Sequence, residues 1–435
     1  MSLPITARTD AHGHLEIGGC DCCDLAAQFG TPLYVFDEAT LRDRCRAFRA
    51  AFERRHPDSR ILYAGKAFLN RAVAQIIAEE GLGLDVVSGG EMAVARAAGF
   101  PPDRVCFHGN NKSLDEVQMA LDWGVGRIAV DNFHELALLG RLAAARDRPV
   151  EILLRLAPGV EPRTHAHIST GGVASKFGFP IADGQAEAAV QAALTTPGLR
   201  LLGLHAHIGS QIHDLAPYGQ TVRVMVEFAA QMAERHGMHL AEISPGGGWA
   251  IRTTPAEQAP TPEEIAEAIV DTLHNEVARH GLPLPRLTVE PGRAIIGPAG
   301  VALYTVGARK EVPGGPTYIF VDGGMADNIR PALYGARYQA IAASRANEPP
   351  SEMVTIAGRY CESGDILIRD AALPHLVAGD LLAVPAVGAY CLSLASNYNL
   401  ARRPAVVLVH GGQAHLIRRR EEYEDLLRLD AITDH

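Results

Sequence analysis

The sequence predicts an α/β fold, a (β/α)8 barrel of the TIM type followed by a C-terminal antiparallel β domain of barrel or sandwich form. Over the first two thirds of the chain, eight short β-favouring runs alternate with helical stretches. Polar side chains recur where these runs end, and that face carries the active site in such barrels. After about Gly297 short strands separated by Gly, Pro and Asp turns replace the helices. An open, doubly wound sheet stays possible, because sequence alone does not show closure.

The eight runs have the length and composition of buried parallel strands. They are Arg60–Ala64, Leu84–Ser88, Arg104–His108, Arg127–Asp131, Glu151–Leu156, Leu201–Ala206, Ala241–Ser244 and Arg286–Glu290. Helical stretches separate them, among them Glu91–Ala98, Leu114–Trp123 and Thr221–His236. Residues 36–297 are therefore expected to form the barrel.

The remaining chain is expected to form the second domain. Its predicted strands are Ala302–Val306, Tyr318–Val321, Glu352–Ala357, Leu381–Val384 and Ala405–Val409. Residues 1–35 also contain short β-like pieces, so this segment is expected to pair into the domain formed by residues 298–435. A helix is expected to begin at Asp37 or Thr40.

Composition excludes several classes of protein. At 435 residues, with 47% hydrophobic and 21% charged residues, the chain can bury a large core in two domains. A net charge of −10 with interspersed charges argues against nucleic acid or an anionic membrane as partner. No apolar run reaches the roughly 20 residues that span a bilayer, and the first residues lack a secretory signal pattern. We expect a cytoplasmic protein.

Seven cysteines fit a reducing compartment better than a disulfide framework. Cys20, Cys22 and Cys23 are close enough in sequence to suggest metal ligands. No second pair or histidine cluster at zinc-like spacing accompanies them, so no metal site is expected.

Lys66 lies just past the first barrel strand, before the amphipathic stretch Arg71–Glu80. Such a lysine is often an ordinary solvated residue. At the mouth of a barrel it could instead form a Schiff base with a carbonyl cofactor.

The loops after strands seven and eight decide between these interpretations. Barrels commonly hold phosphate there with bare backbone N–H groups. These loops contain the glycines and the cation Gly246, Gly247, Gly248, Gly292 and Arg293. Together with Lys66 they suggest a phosphorylated aldehyde, pyridoxal 5'-phosphate.

Further residues at the strand ends suit that cofactor. His207 can stack on a flat ring and Ser210 can bind phosphate, although a capping loop with a satisfied histidine is the plainer alternative. Glu290 could face the pyridine nitrogen and keep it protonated, so that the ring accepts electrons from the substrate α-carbon. The alternative for Glu290 is a salt bridge with Arg293.

Three stretches of the second domain group reactive side chains, each expected on a loop. They are Gly358–Asp365 with Cys361 and Glu362, Asn328–Tyr334 with Arg330, and Gly388–Tyr390.

Motifs in this order resemble the fold-type III pyridoxal-phosphate-dependent decarboxylases, and among them the diaminopimelate decarboxylase family. They are FGTPLYVFDEATL, YAGKAFLN, DVVSGGE, HGNNKS, HISTG with SKFG, HAHIGSQI, GGG, EPGR, RPALYG, CESGD, and GAY with SNYN. The resemblance runs from about Asp24 to Leu408. Pro245, Trp249-Ala250 and the stretch Gly324–Asn328 depart from the family's commoner residues.

The resemblance implies a role for each matching residue. Lys66 would be the Schiff-base lysine and Cys361 the general acid. Cofactor binding would fall to Lys66, His207, Ser210, Gly246, Gly247, Gly248, Glu290, Gly292, Arg293 and Tyr390. Substrate binding would fall to Arg293, Arg330, Tyr334, Glu362 and Tyr390.

The resemblance also implies an activity and a partner. The reaction would convert meso-2,6-diaminopimelate to L-lysine and CO₂, the last step of lysine biosynthesis, in a homodimer whose Cys361 and Glu362 reach the partner subunit's site. Arginine suits the distal carboxylate of this substrate. The alternatives are a decarboxylase of another basic or acidic amino acid, an amino-acid racemase, which Glu290 disfavours, and a non-catalytic regulator, which Lys66 and Cys361 disfavour.

Overall fold

The computed structural model describes residues 3–144, 146–161 and 175–432. The HISTG stretch, residues 167–171, lies outside the described residues. Two compact units make up the chain. The barrel unit comprises Arg44–Ile251 and Ala259–Ile295; the β unit comprises Met1–Asp43, Arg252–Gln258 and Ile296–His435.

The described strands, in chain order, are β1 Arg8–Thr9, β2 Leu15–Ile17, β3 Cys20–Asp21, β4 Leu33–Asp37, β5 Ser59–Ala64, β6 Gly83–Val86, β7 Val105–Phe107, β8 Arg127–Val130, β9 Val150–Ala157, β10 Phe179–Pro180, β11 Leu199–His205, β12 Glu242–Ser244, β13 Arg286–Val289, β14 Gly300–Glu311, β15 Thr317–Val321, β16 Ile341–Ala342, β17 Glu352–Ala357, β18 Ile366–Leu373, β19 Leu381–Pro385, β20 Ala405–His410 and β21 Gln413–Arg418. The α-helices are α1 Cys22–Phe29, α2 Glu38–Arg55, α3 Arg71–Glu79, α4 Gly89–Ala97, α5 Leu114–Trp123, α6 Phe133–Ala143, α7 Gln185–Thr195, α8 Ala216–His236, α9 Pro262–His280, α10 Arg293–Ile296, α11 Arg330–Tyr334 and α12 Tyr423–Leu427.

Eight parallel strands close the barrel. They pair in the order β9, β11, β12, β13, β5, β6, β7, β8, and β8 pairs back to β9 through Ile128 and Ile152. Closure confirms the predicted TIM-type barrel and excludes the open sheet. Each predicted strand lies within one or two residues of its observed bounds. The register of β13 on β5 sets Val289 beside Ile61, so the chain that follows strand eight emerges next to the Lys66 turn.

Local sequence explains why strands and helices alternate so cleanly. All four residues of β6 are buried, as expected for strands covered on both faces. The helices begin and end at strong signals. In α9 the capping box pairs Thr261 with Glu264, Pro262 occupies the first turn, and Gly281 ends the helix in the left-handed conformation.

The β unit contains a separate, mainly antiparallel sheet in the order β18-β17-β15-β14-β4-β20-β21, with β19 on β14 and β16 on β19. Strand β4 enters it from the N-terminal segment, antiparallel to β14 and parallel to β20. The predicted second, antiparallel domain is thereby confirmed as a fold class. Sequence patterns missed β18 and β21. In β18 the charged pair Arg369 and Asp370 interrupts the apolar residues, and in β21 no residue is buried.

One local expectation was wrong. Residues Arg330–Tyr334 were expected on a loop and instead form the short helix α11, with Pro331 in its first turn and Gly335 ending it in the left-handed conformation. Proline suits the first helical turn because its missing N–H is unpaired there anyway.

The N-terminal cysteines belong to the packing of the β unit. Cys20 and Cys22 lie in an apolar cluster with Leu15, Ile17 and Leu25. Burial, then the charge of Asp21, raises the pKa of the Cys22 thiol well above its usual value. Cys23 lies near an ion pair between His14 Nδ1 and Asp21 Oδ2 (2.8 Å), and burial raises its pKa to about 12. Thiols in this state are unreactive packing groups.

Within the described residues no helix combines the length and the apolar character needed to cross a bilayer.

A buried lysine ties the barrel loops together. The Lys112 ammonium, in the HGNNKS motif, donates to the carbonyls of Gly109 (2.8 Å) and Ala129 (2.7 Å) and to Glu135 Oε1 (2.6 Å). The other carboxylate oxygen of Glu135 accepts from the Asp131 backbone N–H (3.1 Å). One ion pair therefore joins the loop after β7, the end of β8 and the start of α6.

Replacing Lys112 by Met should lower the free energy of unfolding by about 3–5 kcal/mol, because Glu135 then remains buried without its cation. Urea denaturation measures this loss. The double variant Lys112→Met/Glu135→Leu should lose less than the single variant, since it leaves no buried charge unpaired. A single-variant loss below about 1 kcal/mol, the range of surface pairs, would contradict the role assigned to this ion pair.

Candidate active site

Lys66 stands at the C-terminal end of the first barrel strand. It lies in a single 3-10 turn, Gly65–Ala67, between β5 and α3. Its ammonium donates to Asp85 Oδ2 at 3.1 Å, and the Asp85 carboxylate is almost fully buried while the lysine side chain is 38% exposed. Asp85 belongs to β6, the neighbouring strand, because Ala64 pairs with Asp85 in the parallel register. The lysine is therefore held at the barrel mouth and still accessible.

Glu290 lies immediately after β13 and is also buried. Its Oε1 accepts from Ser244 Oγ at 3.1 Å, and its Oε2 lies 3.0 Å from His205 Nε2. His108 Nε2 lies 3.5 Å from Oε1 and 3.8 Å from Asp85 Oδ1. A continuous series of polar contacts thus runs from Lys66 through Asp85 and His108 to Glu290.

The charge state of this series follows from burial and partners. Burial raises the pKa of Glu290, but the electrostatic interactions with His205 and His108, together with the His205 hydrogen bond, more than offset that effect and bring the pKa to about 2. Burial lowers the pKa of His108 well below its usual value, although Glu290 acts in the opposite direction. The Glu290 carboxylate therefore stays ionised at neutral pH. Glu91, near Asp85 and Lys66, has its pKa raised to about 7 mainly by burial.

His207 borders the glycine loop after β12. Its Nδ1 accepts from the Gly247 backbone N–H at 3.3 Å. Burial, followed by the charge of Lys66, lowers the pKa of His207 well below its usual value, so the ring is neutral. No side chain fits at Gly247 or Gly248 of this loop. A Cβ at Gly247 would lie 1.9 Å from the Glu290 carbonyl, and at Gly248 (φ +108°) it would lie 1.9 Å from the Gly209 carbonyl.

Ser210 and Arg293 meet at the same barrel end. Arg293 Nη2 donates to Ser210 Oγ at 3.2 Å, and Arg293 begins α10 directly after Gly292. Gly292 is also closely packed, because a Cβ there would lie 3.0 Å from the Ala64 Cβ in the strand that leads to Lys66. The structure therefore brings the barrel-unit residues of the predicted cofactor set to one end of the barrel.

Other residues at this end form structural pairs. Arg155 lies 3.7 Å from Asp131 Oδ1 and stacks over the Phe177 ring at 4.3 Å. Asp131 Oδ2 accepts from the Gly178 backbone N–H at 3.0 Å. Ser88, at the end of the second predicted strand, caps helix α4 by accepting from the Glu91 N–H at 3.3 Å.

In the β unit, Arg330 is buried at the start of α11. Its Nε donates to the Tyr338 hydroxyl at 2.9 Å, and its guanidinium lies 5.4 Å from the Tyr334 ring and 6.0 Å from the Tyr390 ring. Two further predicted residues of this unit, Tyr334 and Tyr390, therefore lie beside the Arg330 cation. Tyr390 has φ +60°, a left-handed conformation that a tyrosine adopts only when its surroundings hold it.

Buried aspartates shape the two loops of this unit. Asp327 accepts from the hydroxyls of Tyr34 (3.1 Å) and Tyr304 (2.5 Å) and from the Gly324 N–H (2.9 Å), and burial raises its pKa to about 6. Asp365 accepts from the N–H groups of Met325 (2.7 Å) and Tyr360 (2.8 Å).

The acid loop, Tyr360–Gly364, presents its reactive groups to solvent. Cys361 and Glu362 are both exposed. The Cys361 backbone is held by Asn399 Oδ1, which accepts from its N–H at 3.0 Å, and by the Tyr398 hydroxyl, which donates to its carbonyl at 3.2 Å. Glu362 Oε1 accepts from the Gly364 N–H at 3.2 Å. The backbone of the loop is therefore held by hydrogen bonds, while Cys361 itself stays exposed.

Sequence reasoning missed His205 and Ser244, both of which contact Glu290. A usable signal existed in the HAHIG motif, because residues two apart on a strand share one face. His205 and His207 follow this spacing, and the buried position of the first was hidden by the apolar residues around it.

The comparisons with known proteins agree with this geometry. The family described as "Pyridoxal-dependent decarboxylase, pyridoxal binding domain" matches residues 38–297. The chain is 48% identical to diaminopimelate decarboxylase of Bacillus subtilis (strain 168) over 99% of this chain and 98% of that protein. It is 46% identical to the Synechocystis enzyme of the same name, over 99% and 93% of the two chains.

The chain belongs to the diaminopimelate decarboxylase family.

A solved structure shows that the fold agrees throughout. The diaminopimelate decarboxylase from M. jannaschii in co-complex with L-lysine matches with a TM-score of 0.92 at 35% identity, over 99% of this chain and 98% of that one. The resemblance that the motifs indicated is thereby confirmed, and with it the pyridoxal-dependent decarboxylase class.

Proposed function

We propose that this protein is a pyridoxal 5'-phosphate-dependent carboxy-lyase that converts meso-2,6-diaminopimelate to L-lysine and CO₂, the last step of lysine biosynthesis. The observation that carries the proposal is the series Lys66, Asp85, His108, Glu290 at one barrel end. It stands in a chain that shares nearly half its residues with diaminopimelate decarboxylases over almost its whole length. The M. jannaschii relative was solved with L-lysine, the product that this reaction would give.

The residues at the barrel end fit the proposed cofactor. Among the described residues, Asp85 Oδ1 and His108 Nε2 are buried polar atoms without a hydrogen-bond partner. Such atoms are rare in folded proteins, so a polar ligand is expected beside them. The glycine loop offers backbone N–H groups where no side chain could fit.

Each residue would then have a defined task. Lys66 would bind the cofactor aldehyde through its neutral amine, after its ammonium, which Asp85 holds in the free protein, has lost a proton. His207, a neutral ring, would stack on the cofactor ring. Phosphate would be bound by Ser210, the Arg293 guanidinium and the backbone of Gly246, Gly247, Gly248 and Gly292, with Tyr390 also in contact with the cofactor.

When bound, pyridoxal phosphate supplies a protonated ring that accepts the electron pair left when the substrate carboxylate departs as CO₂. Glu290, ionised and buried, would hold the proton on the ring nitrogen. The α-carbon then needs one proton, and the Cys361 thiol would deliver it.

Arg330 and the tyrosines around it in the β unit would select the substrate. Diaminopimelate carries a distal carboxylate that lysine and ornithine lack, and a guanidinium can bind it through two parallel hydrogen bonds. Arg330 is buried, and its Nε is already directed to Tyr338, so its Nη edge suits that carboxylate. Arg293, Tyr334 and Tyr390 would line the substrate, and Glu362 would bind the distal ammonium.

A second copy of the chain would complete each site. An exposed thiol is poorly placed for directed proton transfer, because water competes for the proton. Cys361 and Glu362 are exposed in the single chain. In a two-fold homodimer the acid loop of one subunit would enter the other's site.

Borohydride reduction of the cofactor-loaded protein tests the cofactor assignment. The visible absorbance of the bound aldehyde should disappear, and peptide mass spectrometry should find the cofactor attached to Lys66. Lys112→Arg is the matched control, because it changes another lysine of the same unit, one that is buried in a structural ion pair. In this variant the adduct should still form on Lys66. An adduct on a different lysine would refute the role of Lys66.

Arg330→Ala should raise KM for meso-diaminopimelate on the order of 10- to 100-fold, since hydrogen bonds to charged groups contribute about 1.5–3 kcal/mol. Arg330→Lys should recover only part, because an ammonium cannot bind a carboxylate in the planar two-bond geometry. Steady-state CO₂ release measures both. Arg309→Ala is the control; it removes a paired arginine elsewhere in the β unit, bonded to Glu352. Equal losses in the Arg309 and Arg330 variants would point to a structural role.

Mixing two inactive variants tests the shared site. Lys66→Ala and Cys361→Ala should each be nearly inactive as homodimers. After subunit exchange, both lesions fall in one site of the heterodimer and leave the other intact, so a statistical mixture should recover about a quarter of full activity. If native mass spectrometry shows heterodimers and no activity returns, each thiol serves its own subunit.

A further inference from the structure

Two histidines pack against Glu290, and the proposed reaction uses neither of them directly. His205 ends β11 and His108 follows β7, and their side chains are 1% and 5% exposed. Their rings meet edge to face with centroids 4.7 Å apart. Each ring directs Nε2 toward a different oxygen of the same carboxylate.

We propose that His205, with His108 packed beside it, is a positioning residue that keeps the Glu290 carboxylate charged and correctly oriented, and through it keeps the ring nitrogen of the cofactor protonated. The inference rests on the proposed function, since it concerns the residue assigned to that nitrogen.

The geometry identifies His205 as a hydrogen-bond donor. An ionised carboxylate can only accept, so the proton in the 3.0 Å contact belongs to His205 Nε2. In the described part of the chain, His205 Nδ1 is buried and has no hydrogen-bond partner. The Nε2–H tautomer suits this environment, because it leaves no buried N–H group without an acceptor. In this form the ring stabilises the carboxylate without cancelling its charge.

Without such donors the barrel centre would not tolerate the charge. Glu290 is 4% exposed, and burial alone would favour its neutral acid form. Three groups oppose this, namely the His205 Nε2–H, the Ser244 hydroxyl and the nearby His108 ring. Asp85 acts in the opposite direction, since a like charge raises the pKa of Glu290. His205 makes the shortest of the three contacts and therefore has the largest predicted effect.

A donor other than histidine would have a different result. An arginine at this place would form an ion pair with Glu290 and offset the negative charge that the ring nitrogen needs. A hydroxyl, such as Ser244 already supplies, is a weaker donor. An imidazole therefore suits Glu290, because this carboxylate must keep its full negative charge to act on the ring nitrogen of the cofactor.

The test measures the protonation of the ring nitrogen rather than activity alone. Wild type and variants are loaded with pyridoxal phosphate labelled with ¹⁵N in the ring, and the ¹⁵N chemical shift is recorded. Wild type should show a protonated nitrogen, and Glu290→Gln should show the neutral value. His205→Phe should move the shift toward that neutral value and lower kcat on the order of 10- to 100-fold, the loss expected for a hydrogen bond to a charged group, with little change in KM.

Two amide variants separate the donor from the shape of the side chain. A glutamine amide nitrogen can take the place of Nε2, whereas an asparagine amide reaches only the place of Nδ1. His205→Gln should therefore retain the wild-type shift, and His205→Asn should resemble His205→Phe. This pair also keeps the test decisive should the phenylalanine variant not fold.

Thr288→Val is the matched control. It removes another buried hydrogen bond to a barrel carboxylate, from Thr288 Oγ1 to Glu242 Oε1 at 2.7 Å. It should lower stability and leave the nitrogen shift unchanged. An unchanged shift in folded, loaded His205→Asn or His205→Phe would overturn the inference. Failure of wild type to form the borohydride adduct on Lys66 would instead overturn the proposed function, so the two outcomes are distinguishable.

Discussion

Glu290 is a carboxylate that folding removes almost entirely from water, and the organisation of the barrel end follows from that cost. A buried charge persists only when donors surround it. Two hydrogen-bonding side chains meet it, Ser244 on the neighbouring strand β12 and His205 on β11, and the His108 ring, which follows β7, lies 3.5 Å away. Closure of the barrel brings the ends of β7, β11 and β12 around the one carboxylate that follows β13.

The same requirement links Glu290 to Lys66. Asp85 is at least as buried as Glu290, and its neighbours are the Lys66 ammonium on one side and His108 on the other. Alternating acids and bases therefore share one series of contacts, in which each group limits the charge state of the next. The neutral rings of His108 and His207 keep the number of positive charges low, so the negative charge of Glu290 is not cancelled.

In the β unit, buried aspartates hold loops together by accepting several hydrogen bonds, as Glu290 does at the ends of the barrel strands. Asp327 accepts three hydrogen bonds just before Arg330, and these bonds anchor the segment that leads into α11. Asp365 binds the backbone of both the Gly324–Met325 turn and the acid loop, so the segments that lead to Arg330 and to Cys361 share one anchor. The unusual Gly324–Asn328 stretch has a physical reason in these bonds. A Cβ at Gly324 would lie 2.4 Å from Asp365 Oδ1.

The sequence by itself determined the eight barrel strands, their order along the chain, and the loops on which Lys66, Glu290 and the glycines lie, because strand periodicity and turn residues are local properties. It did not show β18 and β21, whose exposed faces weaken the periodicity, nor the α11 helix, which depends on Pro331 and on the anchored turn before it. It also left His205 and Ser244 unnoticed. Only the tertiary structure decided their role. A polar side chain at the end of an apolar strand, such as His205, has no meaning for catalysis until closure of the barrel sets it 3.0 Å from a carboxylate that lies 85 residues away in the chain.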